Sequence, residues 1–237
     1  MHYGTADGWL TDPDTKTNYL KMISGATLSL KDFKPFKNDP TVENANIDPR
    51  LGYGMTIELD FEINGTLDYD TEVIKCISYN QNKIVQVGFG ITGNKIRFYN
   101  DRLNGHDGKG SLLNANLVEG KRVRVSFVIE SKKQHKDHPM AYIYLDGILS
   151  GAVIYDPRDK FIDDDYQPAT LEINATDAQV KLYGIRFYST ALSHRAILNN
   201  YTASLSTNEE REYSYNSNNV FDSSNKIDYL KVANANY

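Results

Sequence analysis

The sequence predicts an all-β protein, a sandwich of two curved antiparallel sheets, on the basis of three patterns. Residues 142–155 read Tyr-Ile-Tyr-Leu-Asp-Gly-Ile-Leu-Ser-Gly-Ala-Val-Ile-Tyr, two apolar runs joined at Asp146-Gly147, which is a strong hairpin signal. Residues 55–63 alternate between polar and apolar side chains, the period of a half-buried strand. Further short apolar runs follow one another at about ten residues' spacing, separated by turn clusters, which is typical of antiparallel sandwiches.

The strands can be placed in order along the chain. A weak strand pattern lies at 26–30, between turn-rich segments. Further strands are predicted at 55–63, 72–79, 83–89, 95–99, 121–130, 140–145, 148–155, 169–173 and 180–188. A short helix near 194–201 follows the last strand, with Ser193 as its N-cap. Roughly ten to thirteen strands and one or two helices fit two stacked sheets.

The strand at 55–63 carries different chemistry on its two sides. Because side chains alternate along a strand, its apolar residues share one face, predicted to be core: Ile57, Leu59, Phe61 and Ile63. The carboxylates share the other face, which we expect to be solvated: Glu58, Asp60 and Glu62.

Composition and length limit the classes of function. A chain of 237 residues with 40% hydrophobic content can bury one sizeable core. A net charge of −5 and a pI near 5.5 argue against nucleic acid and anionic membranes as partners. No signal peptide and no apolar run long enough for a membrane span is visible. Cys76 is the only cysteine, so no intrachain disulfide is possible, and we expect it to be a small core residue.

Changes in composition suggest three parts. Residues 1–24 are expected to form an N-terminal lead-in segment, and 25–205 the main domain. Residues 206–237 are rich in Asn, Ser and Tyr with little apolar periodicity, which favours a connector to a further module.

The order of several motifs resembles laminin-G/concanavalin-A-like jelly-roll modules of phage tail, baseplate or fibre proteins from Gram-positive hosts. The motifs are Thr56-Ile-Glu-Leu-Asp-Phe61, Arg124-Val-Ser-Phe-Val-Ile129, Tyr144-Leu-Asp-Gly147 and Ile185-Arg-Phe-Tyr188, with Gly25-Ala26 before them and Asn199-Asn-Tyr201 after them. The resemblance implies a non-enzymatic module of the virion, hence extracellular. Such a module recognises cell-surface glycan or acts as a spacer between other virion modules, and it can form a homo-oligomer.

An enzymatic alternative uses the carboxylates of the alternating strand. Glu58 and Glu62, with Asp60 between them, have the Glu-x-Asp-x-Glu spacing that also occurs in jelly-roll β-glucanases, in which the outer glutamates serve as nucleophile and acid/base. Residues four apart in a strand are about 13 Å apart at Cα, however, and a retaining pair needs carboxyl groups about 5 Å apart. The sequence therefore favours no catalytic residue, with a glycoside hydrolase as the alternative.

Sugar recognition needs an aromatic face together with amide or carboxylate groups. An aromatic residue at a predicted strand end enters a polar loop at 99–106, and loops at the rim of a rigid sandwich often bind ligands. The predicted ligand-binding residues are Tyr99, Asn100, Asp101, Arg102, Asn104 and His106.

No cofactor is expected, with calcium as the alternative. Asp163-Asp164-Asp165 offers oxygen ligands, but a calcium ion takes six to eight oxygens, so other loops would have to contribute. His106, His135 and His138 lack zinc-site spacing, and no metal ligand is assigned.

Overall fold

The computed structural model describes residues 9–14, 16–33, 53–65, 72–79, 85–93, 95–100, 113–114, 117–130, 140–154 and 169–203. Over these ranges the chain forms thirteen strands and one helix. The strands are β1 (Trp9–Thr11), β2 (Asn18–Met22), β3 (Thr27–Phe33), β4 (Met55–Asn64), β5 (Glu72–Tyr79), β6 (Val85–Thr92), β7 (Lys95–Asn100), β8 (Leu113–Asn114), β9 (Arg122–Ile129), β10 (Met140–Leu145), β11 (Ile148–Ile154), β12 (Ala169–Ala175) and β13 (Gln179–Tyr188). The helix is α1 (His194–Ala203).

The strands form two antiparallel sheets, so the predicted all-β jelly-roll sandwich is confirmed. The seven-stranded sheet has the order β1-β2-β13-β4-β9-β10-β11, and the six-stranded sheet has the order β3-β12-β5-β6-β7-β8. Strands distant in sequence are neighbours in both sheets: β4 lies between β13 and β9, and β12 between β3 and β5. Residues 18–22 of the predicted lead-in segment belong to the seven-stranded sheet, where β2 pairs with β13.

The core lies between the two sheets. The predicted inward face of β4 is confirmed, because Ile57, Leu59, Phe61 and Ile63 are all buried there. Across the interface the rings of Phe89 and Phe127 lie 5.3 Å apart. Cys76 is also fully buried in this core, as predicted, and burial raises the pKa of its thiol.

The predicted hairpin is formed by β10 and β11. Leu145 pairs with Ile148, so the turn contains only two residues. Asp146 has φ 49° and Gly147 has φ 78°, the positive values that a type I′ turn requires at both positions. A Cβ on Gly147 would lie 2.9 Å from Leu198 Cδ1, so the turn is packed against α1.

Helix α1 covers part of the outer face of the seven-stranded sheet, the face directed away from the six-stranded sheet. Ile197 packs there against Val128 and Tyr144. Ser193 Oγ accepts a hydrogen bond from Ala196 N at 3.2 Å, which confirms the predicted N-cap. The helix therefore covers the outer face beside β9 and β10, and the neighbouring outer face of β13 and β4 carries polar side chains.

Candidate functional site

Polar side chains cross the outer face of the seven-stranded sheet in three neighbouring rows. Strand β4 is paired with β13 on one side and β9 on the other, so each row takes one residue from each strand. The rows are Arg186, Glu58 and Ser126; Gly184, Asp60 and Arg124; and Lys181, Glu62 and Arg122. Neighbouring strands lie about 4.8 Å apart, which places these charges within direct reach of one another.

Asp60 is the centre of a charge network. Arg122 donates from Nε to Oδ1 and from Nη2 to Oδ2, both at 2.7 Å, and Arg124 Nη2 donates to Oδ2 at 2.9 Å. Burial by itself would raise the pKa of Asp60, but the hydrogen bonds and positive charges of Arg122 and Arg124 outweigh it and hold that pKa below its ordinary value. Asp60 is therefore an ionised carboxylate paired with two guanidinium groups.

Glu58 is buried and well supplied with donors. Its side chain is 1% exposed, and its carboxylate accepts hydrogen bonds from Ser126 Oγ at 3.2 Å and Tyr188 OH at 3.1 Å. Asn200 Nδ2, on α1, lies 3.4 Å from Glu58 Oε1. The expectation of a solvated carboxylate face is therefore wrong for Glu58 and Asp60, because α1 and the arginines cover them.

Tyr183 forms an aromatic wall beside the network. It is the additional residue of a β-bulge, since Leu182 pairs with Phe61 and Gly184 already pairs with Asp60. The Arg122 guanidinium lies 4.2 Å from the centre of the Tyr183 ring, a cation–π distance. The Tyr183 hydroxyl is 3.0 Å from Glu62 Oε2, and burial together with this carboxylate raises the pKa of Tyr183.

A pocket of about 190 Å³ opens between these groups. Its lining is Glu58, Asp60, Arg122, Arg124, Tyr183, Gly184, Ile185 and Arg186. Gly184 leaves its side-chain space open: a Cβ built there would meet no atom within 4 Å. The pocket is smaller than the ~300–1,000 Å³ typical of drug-sized ligands, so it suits a group the size of one sugar ring. We call it the outer-face pocket.

The arrangement of Glu58 and Glu62 does not favour the hydrolase alternative. Glu62 Oε1 lies 2.8 Å from Lys181 Nζ, so this carboxylate is held in an ion pair. Glu58 is enclosed by the donors that surround it, and Asp60 stands between the two glutamates in the middle row. A retaining glycosidase needs a nucleophile and a proton donor facing a shared substrate position, and neither glutamate is presented in that way.

Two of the six predicted ligand-binding residues are described, and they belong to the six-stranded sheet. Tyr99 and Asn100 end β7 in the six-stranded sheet, opposite Gly88 and Val87 on β6, whereas the outer-face pocket belongs to the other sheet. The remaining four, Asp101, Arg102, Asn104 and His106, lie outside the described residues. The glycan site predicted at 99–106 thus stays a prediction.

The calcium candidate Asp163-Asp164-Asp165 and the histidines His135 and His138 also lie outside the described residues. Within the ranges that the structure covers, no group of three or more His, Cys, Asp or Glu is placed to hold a metal ion. In the same ranges no helix has the length and apolarity needed to cross a membrane.

Sequence reasoning missed the partners of the β4 carboxylates. Alternation along 122–128 places Arg122 and Arg124 on one face, so a signal was present there. Lys181 and Arg186 are five residues apart and share a face only because of the bulge at Tyr183, which alternation does not predict. What alternation does not supply is strand order, and only the order β13-β4-β9 brings these residues beside Glu58 and Asp60.

No protein-family model matches the sequence, and no curated protein matches it. Solved structures do show the same fold. The receptor-binding domain of the botulinum neurotoxin C/D mosaic serotype is similar with a TM-score of 0.56 and 11% identity, over 86% of this chain and 46% of that chain. The botulinum neurotoxin serotype D binding domain is similar with a TM-score of 0.55 and 11% identity, over 86% of this chain and 47% of that chain. The botulinum neurotoxin type G receptor-binding domain is similar with a TM-score of 0.53 and 12% identity, over 84% of this chain and 45% of that chain.

This chain therefore spans less than half the length of the neurotoxin domains that it resembles. At these identities the likeness establishes the fold, a β-sandwich that also occurs within receptor-binding domains.

Proposed function

We propose that this chain is a non-enzymatic binding module that recognises a cell-surface glycan through the outer-face pocket. The observation that carries the proposal is the pocket itself: a cavity of one-sugar size with an aromatic wall, charged hydrogen-bonding groups and an open position at Gly184. Sugars are held in proteins by an aromatic ring against their apolar face and by polar groups that bond their hydroxyls.

The rigidity of the pocket supports this function. Tyr183 is fixed by the guanidinium that stacks on it and by the hydrogen bond of its hydroxyl to Glu62. Asp60 and Glu58 are held by several donors each. A site whose side chains are already ordered loses less conformational entropy on binding than a flexible one.

Two structural neighbours add support by their own binding partners. One is the binding domain of botulinum neurotoxin DC in complex with rat synaptotagmin II, 13% identical with a TM-score of 0.54. Another is botulinum neurotoxin type C, whose uptake into cells depends on interaction with two ganglioside molecules, with a TM-score of 0.53. The first neighbour thus binds a protein and the second interacts with gangliosides.

The biological setting that we propose is the virion of a bacteriophage, in a tail or fibre protein, where the module would bind host glycan or space other modules. The ordered motifs from 25 to 201 support this setting, since they resemble laminin-G-like modules of such proteins. In that setting the partners are host polysaccharide and other virion modules, including further copies of this chain.

A glycan array of host wall polysaccharides, followed by titration calorimetry of each hit, tests the binding function. Gly184→Leu should abolish binding of the hit, because the new side chain enters the pocket and its Cβ meets no atom within 4 Å. Gln179→Leu is the matched control: it adds the same side chain at an exposed position of β13 outside the pocket.

Tyr99→Ala separates the outer-face pocket from the 99–106 loop. Loss of binding in Tyr99→Ala with full binding in Gly184→Leu would move the site to the loop. Absence of any binding by the unmodified chain at millimolar glycan would contradict the sugar-binding function altogether.

A further inference from the structure

We infer that the outer-face pocket selects an acidic sugar, one that carries a carboxylate, and that Arg186 and Arg124 receive this group. The inference rests on the proposed glycan binding and specifies its ligand class. Of the charged residues that line the pocket, three are arginines and two are carboxylates, so the lining has a net charge of +1 (3 − 2). The hydrogen bonds and ion pairs within the lining show which of these charged groups can still bind a ligand.

The negative charges of the lining are already engaged. Asp60 accepts three hydrogen bonds from Arg122 and Arg124. Glu58 accepts hydrogen bonds from two hydroxyls and is approached by the Asn200 amide. Both carboxylates are at most one-tenth exposed, so they offer a ligand little unshielded negative charge.

Arg186 holds its positive charge at the pocket opening. Its side chain is 48% exposed, and Nη1 lies 3.7 Å from Glu58 Oε2, which is an ion-pair contact but too long for a hydrogen bond. Glu58 is thus satisfied by other donors, and the planar fork of Arg186 remains able to bind a carboxylate in a bidentate manner.

Arg124 lines the inner side of the pocket. Its side chain is 2% exposed, and its two Nη atoms donate to Asp60 and to the Asn200 carbonyl on α1. Its Nε atom is buried without a hydrogen-bond partner among the described residues. A buried polar atom without a partner is destabilising, so a ligand oxygen that reaches Nε would remove that cost.

The position of Gly184 explains how a ligand reaches both arginines. Gly184 lies in the row of Arg124 and is two residues from Arg186 on the same strand. Because Gly184 carries no side chain, the space above it is open, and the side chains of Arg124 and Arg186 line the same cavity. Tyr183, with Arg122 packed over its ring, lines the same cavity beside them.

Paired oligosaccharides test the inference. Oligogalacturonate and its carboxyl-reduced derivative differ only in the carboxylate, and titration calorimetry of the intact chain measures both. Charged hydrogen bonds contribute enough that we expect at least about tenfold tighter binding of the acidic form. Raising the salt concentration should weaken this preference, because Arg186 is partly exposed.

Arg186→Gln should remove most of the preference for oligogalacturonate, because only Arg124 then remains to receive the carboxylate, and should leave binding of the reduced sugar unaffected. Arg186→Lys, which keeps the charge but not the planar fork, should retain only part of the preference. Unchanged circular dichroism and urea midpoints verify that both variants are folded, as expected for a half-exposed side chain.

Equal binding of the acidic and reduced sugars at the pocket would overturn the acidic selectivity and leave the glycan-binding function in place. A glycerol phosphate oligomer that binds more tightly than oligogalacturonate would also overturn the carboxylate assignment. If neither sugar binds while another glycan binds in a Gly184-dependent manner, this inference is wrong and the proposed function stands. If no glycan binds at all, both fail.

Discussion

Gly54 should be a position at which even alanine strongly destabilises the protein. It precedes β4 with φ +77°, a backbone conformation that costs an L-residue about 1–2 kcal/mol. A Cβ there would also lie against the backbone carbonyl oxygen of Ile129 and 2.7 Å from Ala191 Cβ. Ile129 belongs to β9, and Ala191 N donates to the Tyr53 carbonyl at 2.8 Å. Gly54 is therefore enclosed between a strand and the segment that leads into α1.

The two costs can be added. Overpacking against atoms that cannot move away costs about 1–3 kcal/mol, so Gly54→Ala should lower the free energy of unfolding by roughly 2–5 kcal/mol. That is a large part of the ~5–15 kcal/mol that stabilises a typical protein.

Gly120→Ala is the matched control. Gly120 has φ +70°, but a Cβ there would meet no atom within 4 Å, so this variant should lose only the ~1–2 kcal/mol of the backbone conformation. With a urea m-value of about 2 kcal/mol per molar, the unfolding midpoint of Gly54→Ala should lie about 0.5–1.5 M below that of Gly120→Ala. Equal midpoints for the two variants would refute the close approach of Ile129 and Ala191 to Gly54.

Three further outcomes are expected from the charge network, the helix and the core. Asp60→Ala leaves Arg124 buried without its carboxylate and should cost about 3–5 kcal/mol in urea unfolding; a cost below 1 kcal/mol would contradict the buried pair. The pKa of Asp60 is lowered in the folded state, so its contribution is present above the unfolded pKa of about 3.9 and is lost as pH falls through the lower folded value. The wild type should accordingly lose stability more steeply than Asp60→Ala on acidification below about pH 4. Ser193→Ala should cost about 1 kcal/mol, measured by thermal unfolding, because Ala196 N loses its cap; an unchanged midpoint would exclude the cap. Burial raises the pKa of Cys76, so a thiol reagent at pH 8 should label it only in denaturant, and stability should fall as pH rises above the unfolded pKa of about 8.5. Rapid labelling of the native protein would place Cys76 outside the core.

Much of the fold could be predicted because its signals are local. The type I′ turn at Asp146-Gly147 needs two positive φ values, and the dipeptide favours them, so β10 and β11 were predicted to within one residue. Strand β5 was predicted with its exact bounds. Strand β2 was missed, because five residues between turn-forming segments give too short a pattern, and its place in the sheet depends on β13.

The outer-face pocket could not be predicted for a related reason. The carboxylates of β4 were recognised, but their environment depends on which strands lie next to β4 and on where α1 packs. Arg124 is 64 positions from Asp60, and Tyr188 is 130 positions from Glu58. Pairings over such distances are decided by the whole topology, whereas alternation reports only on one strand.

The burial of β4 on both faces limits how this protein can diverge. Seven consecutive residues from Met55 to Phe61 are buried. Their apolar side chains face the core between the two sheets, and their polar side chains belong to the charge network on the outer face. A single replacement in this strand disturbs either a close-packed interior or a set of paired ions. Evolutionary change on its polar side should therefore occur as joint exchanges, with carboxylate and guanidinium groups on β4 and β9 replaced together, while the exposed edge residues Ile148 and Leu149 vary independently.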